Sequence, residues 1–197
     1  MPRATSLTPR LGDDGAVIPL SAQRVRTRHF TPDDADFVLA VHQHPGLRRF
    51  IPRQVIEDAD AAEAVPARIE RFRRYDADPV LGVVLVETMP ADDAPAVPVA
   101  LIMLQPIPAS TGVALQDVEI GWRAHPEHTG HGYVAEAARA VLDHVLASGL
   151  PRVVAVTDPA NSASQAVCER IGMTRVGLSR DYYDEETMLF VADRPGG

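Results

Sequence analysis

Lysine is absent: all 19 Lys/Arg positions among the 197 residues are arginine. No function follows from that absence. Cysteine occurs once, at Cys168, which excludes an internal disulfide and with it the small secreted disulfide scaffold. Long apolar runs are also missing. The longest, around Val80–Val86 and Val99–Leu104, are of strand length, so neither a membrane span nor a signal-peptide core is visible. There is no excess of positive charge. The net charge of −8 argues against nucleic-acid binding and suits cationic small molecules or basic peptide ends. Internal repeats and low-complexity segments are lacking too. What is present is 46% hydrophobic and 23% charged residues, a balance that a chain of this length buries as one core. The expectation is a cytoplasmic, soluble, single-domain protein, monomer or homodimer, with neither nucleic acid nor membrane as partner.

Residues 1–20 carry Pro, Gly, Thr and Asp without helical or strand period and read as a flexible extension; one domain is expected over 21–194, and 195–197 form a tail. Gln23–Phe30 has strand composition. Thr31-Pro32-Asp33-Asp34 is a helix start, and that helix runs to about His42, where His44-Pro45-Gly46 breaks it. A second helix is predicted over Asp58–Asp76, with Pro66 as a kink or division. Pro79–Thr88 and Val97–Pro106 read as strands joined by the turn Pro90–Asp93. A third run, Val113–Ala124, alternates in its second half: Val118, Ile120 and Trp122 face one way, Asp117, Glu119 and Arg123 the other. After Gly132 a helical stripe of Val134, Ala137/Ala138, Val141/Leu142 and Val145 runs to Gly149. Arg152–Thr157 is a strand, Asn161 caps a helix closed by Gly172, and Met173–Leu178 and Thr187–Ala192 are closing strands. The order is one strand, two helices, three strands, helix, strand, helix, two strands: a mixed α/β domain.

The stretch with chemical content is Glu127-His128-Thr129-Gly130-His131-Gly132, between a strand and a long helix. A Gly-containing turn at a helix start leaves backbone N–H groups unpaired at the positive end of the dipole, which suits phosphate or pyrophosphate. Alone, G-x-G does not distinguish phosphate binding from a plain turn. No Lys-Ser/Thr follows, so it is not a Walker loop, and Ala135 stands where a dinucleotide fingerprint has its third Gly. Together with Val118–Gly132, the following helix and Val153–Met173, the stretch resembles the GNAT N-acetyltransferase superfamily, more narrowly its RimJ/RimL-like ribosomal-protein N-terminal acetyltransferases. That family's loop is Q/R-x-x-G-x-G/A; both Gly match and Glu127 replaces the leading residue. Arg24–Val41 resembles the subtype's opening strand and helix.

The resemblance implies an α/β (α+β) fold with a mixed, mostly antiparallel sheet, splayed between its fourth and fifth strands and flanked by helices. It implies acetyl-CoA as acyl donor, with pantetheine along Gly121, Trp122, Arg123 and Ala124, and pyrophosphate on the amides of Thr129, Gly130, His131, Gly132 and Tyr133. Asn161 and Ser164 would face the pantetheine or acetyl end. It further implies direct attack by a primary amine, either a protein or peptide α-amine or a small molecule. A non-catalytic acyl-CoA-binding module is the rival. An α-amine with pKa near 8 is about one-tenth neutral at pH 7, so it needs less help from a base than a lysine-type amine. Glu119 is the candidate base, with Asp117 behind it. Ser164 is the candidate acid, because Cys168 occupies the position where many relatives carry Tyr. Cys168 itself reads as a packed thiol. His42, Arg49 and Phe50 are placed on one wall of the acceptor site, and Tyr182 and Tyr183 on another. His125, His128 and His131 straddle the turn without thiol or acidic companions at ligand spacing, so no metal is expected.

Overall fold

Continuous apolar runs make the strands of the sheet's centre, because both faces there are covered. The strand Gly82–Thr88 (β2) is buried at every position but its last, and the strand Pro98–Pro106 (β3) is buried over Val99–Ile102 and at Leu104. In this computed structural model, residues 20–90 and 94–195 are described. Residues 1–19 of the expected extension, 91–93 of the expected turn and 196–197 of the tail lie outside them. Leu20, the last residue of that extension, belongs to the domain: it is buried, and its N–H donates to Thr27 Oγ1 at 2.9 Å.

The other strands are β1 (Val25–Arg28), β4 (Val118–Ala124), β5 (Arg152–Thr157), β6 (Thr174–Ser179) and β7 (Thr187–Asp193). They lie in the order β1-β2-β3-β4-β5-β7-β6, antiparallel except for β4 beside β5. That parallel pair shares a single register position, Glu119 opposite Val154. Beyond it the strands part, and Ile120–Ala124 has β3 on one side and no strand on the other. This is the expected splay, and everything functional is arranged around it.

Among the described residues five α-helices cover the sheet: α1 (Ala35–Gln43), α2 (Pro45–Phe50), α3 (Ala61–Arg73), α4 (Tyr133–Ala147) and α5 (Ser162–Arg170). The period-two alternation splits the core between the faces. Val84, Val86, Ile102 and Ile120 pack with Ala138, Val141, Val145 and Ile171 on the α4/α5 side. Val83, Leu85 and Leu101 pack with Phe37, Val41, Ile69 and Phe72 on the α1/α3 side. Among the described residues no helix is long and apolar enough to cross a membrane.

Two local expectations are corrected. His44-Pro45-Gly46 ends α1 and also starts another helix: His44 Nδ1 accepts from the Gly46 N–H at 2.8 Å, with Pro45 in the first turn. Pro66 does not divide α3. It sits on the solvent side, where water can take the freed carbonyl, while buried Val65, Ile69 and Phe72 hold both halves against the sheet.

Candidate active site

The parting of β4 and β5 opens two clefts that meet inside the sheet. The first, about 560 Å³, runs from Trp122–Ala124 past the Thr129–Ala135 turn to Asn161, Ser164 and Val167 of α5. The second, about 370 Å³, lies on the other side and is bounded by Gln54, Arg71, Glu119, Tyr183 and Glu185. Phe50, Ile51, Trp122, Arg123, Asn161 and Ser164 line both. The two clefts therefore adjoin at Trp122, Asn161 and Ser164.

Along the first cleft the turn is built to present amides. Gly130 and Gly132 both have φ of +80°, which a side-chain-bearing residue adopts only with strain. Among the described residues nothing accepts from the N–H groups of Gly130, His131 or Gly132, and the first turn of α4 adds more without intrahelical partners. Arg24 braces the turn from outside: Nη1 donates to the His131 carbonyl at 3.1 Å and Nε to Glu136 Oε2 at 2.7 Å. His131 stacks on Tyr133. Glu127, the departure from the family pattern, is exposed and does not line the cleft, so its charge is not set against a bound anion there.

Asn161 caps α5 by accepting from the Ser164 N–H at 3.1 Å, which is why Asn161 and Ser164 stand together at the junction. The Ser164 hydroxyl has no partner among the described residues. Cys168, one helical turn further on, is fully buried, and burial pushes its thiol up to about 12, so it is no nucleophile.

In the second cleft the polar face of β4 is covered. Glu119 is half-buried and accepts from Tyr183 Oη at 2.6 Å. Burial raises its carboxyl to about 7, against the smaller opposing effects of the Tyr183 hydrogen bond and the Arg123 charge. Tyr183 reaches it from the β6–β7 loop with φ of +62°, followed by Asp184 at +56°. That loop is held by Asp184, whose N–H donates to Ser110 Oγ and whose Oδ1 accepts from the Thr111 N–H.

Several expected site residues lie elsewhere. His42 is wholly buried and cannot form a wall against an acceptor. Its Nδ1 meets the Val38 carbonyl at 2.6 Å, and its Nε2 accepts from Arg68 at 2.9 Å and Arg123 at 3.1 Å. Burial first, then the Arg123 and Arg68 charges, hold it down to about 3, a neutral acceptor between two cations. Arg49 is exposed outside both clefts, its guanidinium 5.0 Å from the Phe50 ring centroid. Tyr182 is buried and donates to Asp117 Oδ2 at 2.7 Å, which removes both residues from the cleft. Phe50 and Tyr183 line the second cleft. Gln54 and Arg53 line the second cleft without having been singled out, and Arg71 of α3 lines it too. They come from turns and helix positions with no motif, and only tertiary folding brings them to β4.

Residues 24–174 match the family model for the acetyltransferase (GNAT) domain. The chain belongs to that family. An uncharacterized N-acetyltransferase of Bacillus subtilis, YnaD, is 40% identical over 61 residues, 30% of this chain and 36% of that protein. The chain thus spans about a third of the length of the curated relatives it matches. A GNAT acetyltransferase from Bacillus anthracis superposes with a TM-score of 0.67 at 22% identity, covering 90% of this chain and 99% of that one. Mycobacterium smegmatis RimJ, solved with CoA-disulfide, superposes with a TM-score of 0.66 at 19% identity, covering 91% and 83%. At these identities the structural likeness carries the GNAT fold and not the acceptor.

Proposed function

We propose that this GNAT domain transfers an acetyl group from acetyl-CoA directly to a primary α-amine, with Glu119 accepting the amine's proton. The observation that carries the reading is the junction of two clefts beside a carboxyl raised to about 7. A base of that strength is matched to an α-amine near 8 far better than to a lysine-type amine near 10.4. The free amides of Gly130–Gly132 and the first turn of α4 suit the donor's pyrophosphate, and the unpaired edge of β4 over Ile120–Ala124 suits its amide-bearing arm. Acetyl-CoA supplies the activated thioester. The chain's part is to hold the amine at Trp122 and Ser164, take its proton on Glu119, and offer the Ser164 hydroxyl to the departing thiolate. The acceptor class follows the RimJ-like reading, a peptide or protein N-terminus, with small α-amines as the second arm of the test.

Thiol release from acetyl-CoA across peptides and small amines, with free or blocked α-amines, tests this. Turnover that disappears when the α-amine is blocked is expected. Turnover confined to ε-amines overturns the α-amine assignment, and donor binding without any turnover makes the protein a binding module. The pH profile is a further check. Glu119 must be ionised to act, so activity should fall as pH drops through about 7. The Tyr183 phenol stabilises the carboxylate form, so Tyr183→Phe should move that limb to higher pH. An unmoved or acid-shifted limb would show that the phenol does not tune the base.

A further inference from the structure

Resting on that transferase reading, we infer that the acceptor is an amine that also carries an anionic group, a carboxylate, which docks on an arginine wall of the second cleft. The charged residues lining this cleft are Arg53, Arg71 and Arg123 on one hand and Glu119, Asp158, Glu185 and Glu186 on the other. Several are already engaged. Arg53 pairs with Glu185 at 3.3 Å, Glu186 with Arg180 at 3.3 Å, and Asp158 Oδ1 accepts from the Ala160 N–H. Arg71 and Arg123 are left.

Arg123 is only 7% exposed, yet its guanidinium meets neutral acceptors alone. Nη1 donates to His42 Nε2, Nη2 to Gln54 Oε1, and Nε has no partner among the described residues. Arg68 donates to the same two acceptors from behind. Arg71, one helical turn from Arg68 on α3, is exposed and has no carboxylate partner among the described residues. Its charge is near enough to lower both Arg68 and Arg123, which burial already depresses, Arg123 to about 10. Glu119 is the one carboxylate whose charge reaches Arg123.

Buried cations are ordinarily matched by anions, because an unmatched one keeps its full desolvation cost. This chain matches one elsewhere: half-buried Arg28 is bound by both Asp34 and Glu87. Arg71 and Arg123 line the cleft with no hydrogen-bonded carboxylate among the described residues, Arg68 stands behind them, and they form a site for an incoming anion. The donor's phosphates do not serve, because the turn suited to them lines the other cleft. Net charge alone suggests a cationic acceptor; the local field of the cleft is bipolar. The amine goes to Glu119 and the carboxylate to the Arg71–Arg123 side. A free α-amino acid supplies that carboxylate at its own terminus, and a peptide supplies it from an acidic side chain near its N-terminus.

Trp122, the sole tryptophan, lines both clefts and serves as the probe. Its fluorescence is titrated with N-acetyl-amino acids against their carboxamides, and with N-acetyl peptide amides bearing Glu against Gln at the second position. At least one acid arm should bind about tenfold tighter than its neutral partner. That gap should shrink to about twofold in Arg71→Gln, with the melting temperature unchanged. Acid and amide binding alike in both arms overturns the inference, as does a gap that survives Arg71→Gln. The arm that shows the gap identifies the carboxylate's source. Thiol release on the unacetylated compounds separates the two readings. Acid preference in binding without turnover leaves the arginine wall and removes the transferase; turnover indifferent to the acid leaves the transferase and removes the wall.

Discussion

Glu119→Gln is expected to lower kcat by roughly 10²–10⁴-fold, the range a positioned base contributes, while acetyl-CoA binding stays unchanged. The substitution keeps the shape of the side chain and an acceptor oxygen for the Tyr183 phenol, 2.6 Å away in the parent, so the loss reads proton transfer rather than packing. Stability offers an internal control whose sign can be worked out. The folded protein holds the Glu119 proton up to about pH 7, the unfolded chain only to its ordinary 4.5. Folding is therefore opposed by ionisation as pH rises through that window. At pH 8 the Gln variant should melt no lower than the parent. A variant that is inactive and also less stable at pH 8 would point to a structural role. A variant with parental kcat would remove Glu119 from the chemistry.

The second large effect belongs to the turn. Gly132→Val forces a β-branched residue into φ of +80°, where left-handed backbone costs roughly 1–2 kcal/mol and branching adds to it. The turn relaxes by moving, and the amides of Gly130–Gly132 no longer converge. Acetyl-CoA affinity should fall by about tenfold or more, since each 1.4 kcal/mol is a factor of ten. Gly112→Val is the matched control: its φ is +81°, its surroundings are open, and it lies outside both clefts. It should lose some stability and none of the donor affinity. Equal losses of affinity in the two variants would mean that strain, not amide geometry, is being read, and isothermal calorimetry of donor binding decides between them.

The amino-acid sequence by itself determined the order of most elements and the turn and helix cap that line the first cleft. Local causes suffice there. Period-two and period-3.6 patterns give β4 and α4, Asn161 places its own cap on Ser164, and two glycines within three residues set the conformation of a turn that the next helix completes. His44-Pro45-Gly46 shows where local reading divides. The same residues break one helix and cap another, and only packing of Leu47 shows that the second forms. The second cleft was decided by tertiary structure. The sequence offers Glu119 as a candidate base and His42 as a candidate wall, but nothing in it shows a carboxyl raised to about 7 or a buried neutral imidazole. Their environments come from Arg68, Tyr183 and Arg123, residues 26, 64 and 81 positions away from the groups they touch. Desolvation and the charge of neighbours brought together by folding set a side chain's proton affinity, and neither is a property of the residue or of its spacing along the chain. The arginine wall is the same case. A net charge is a sum over the chain, while a cleft responds only to the charges folded against it.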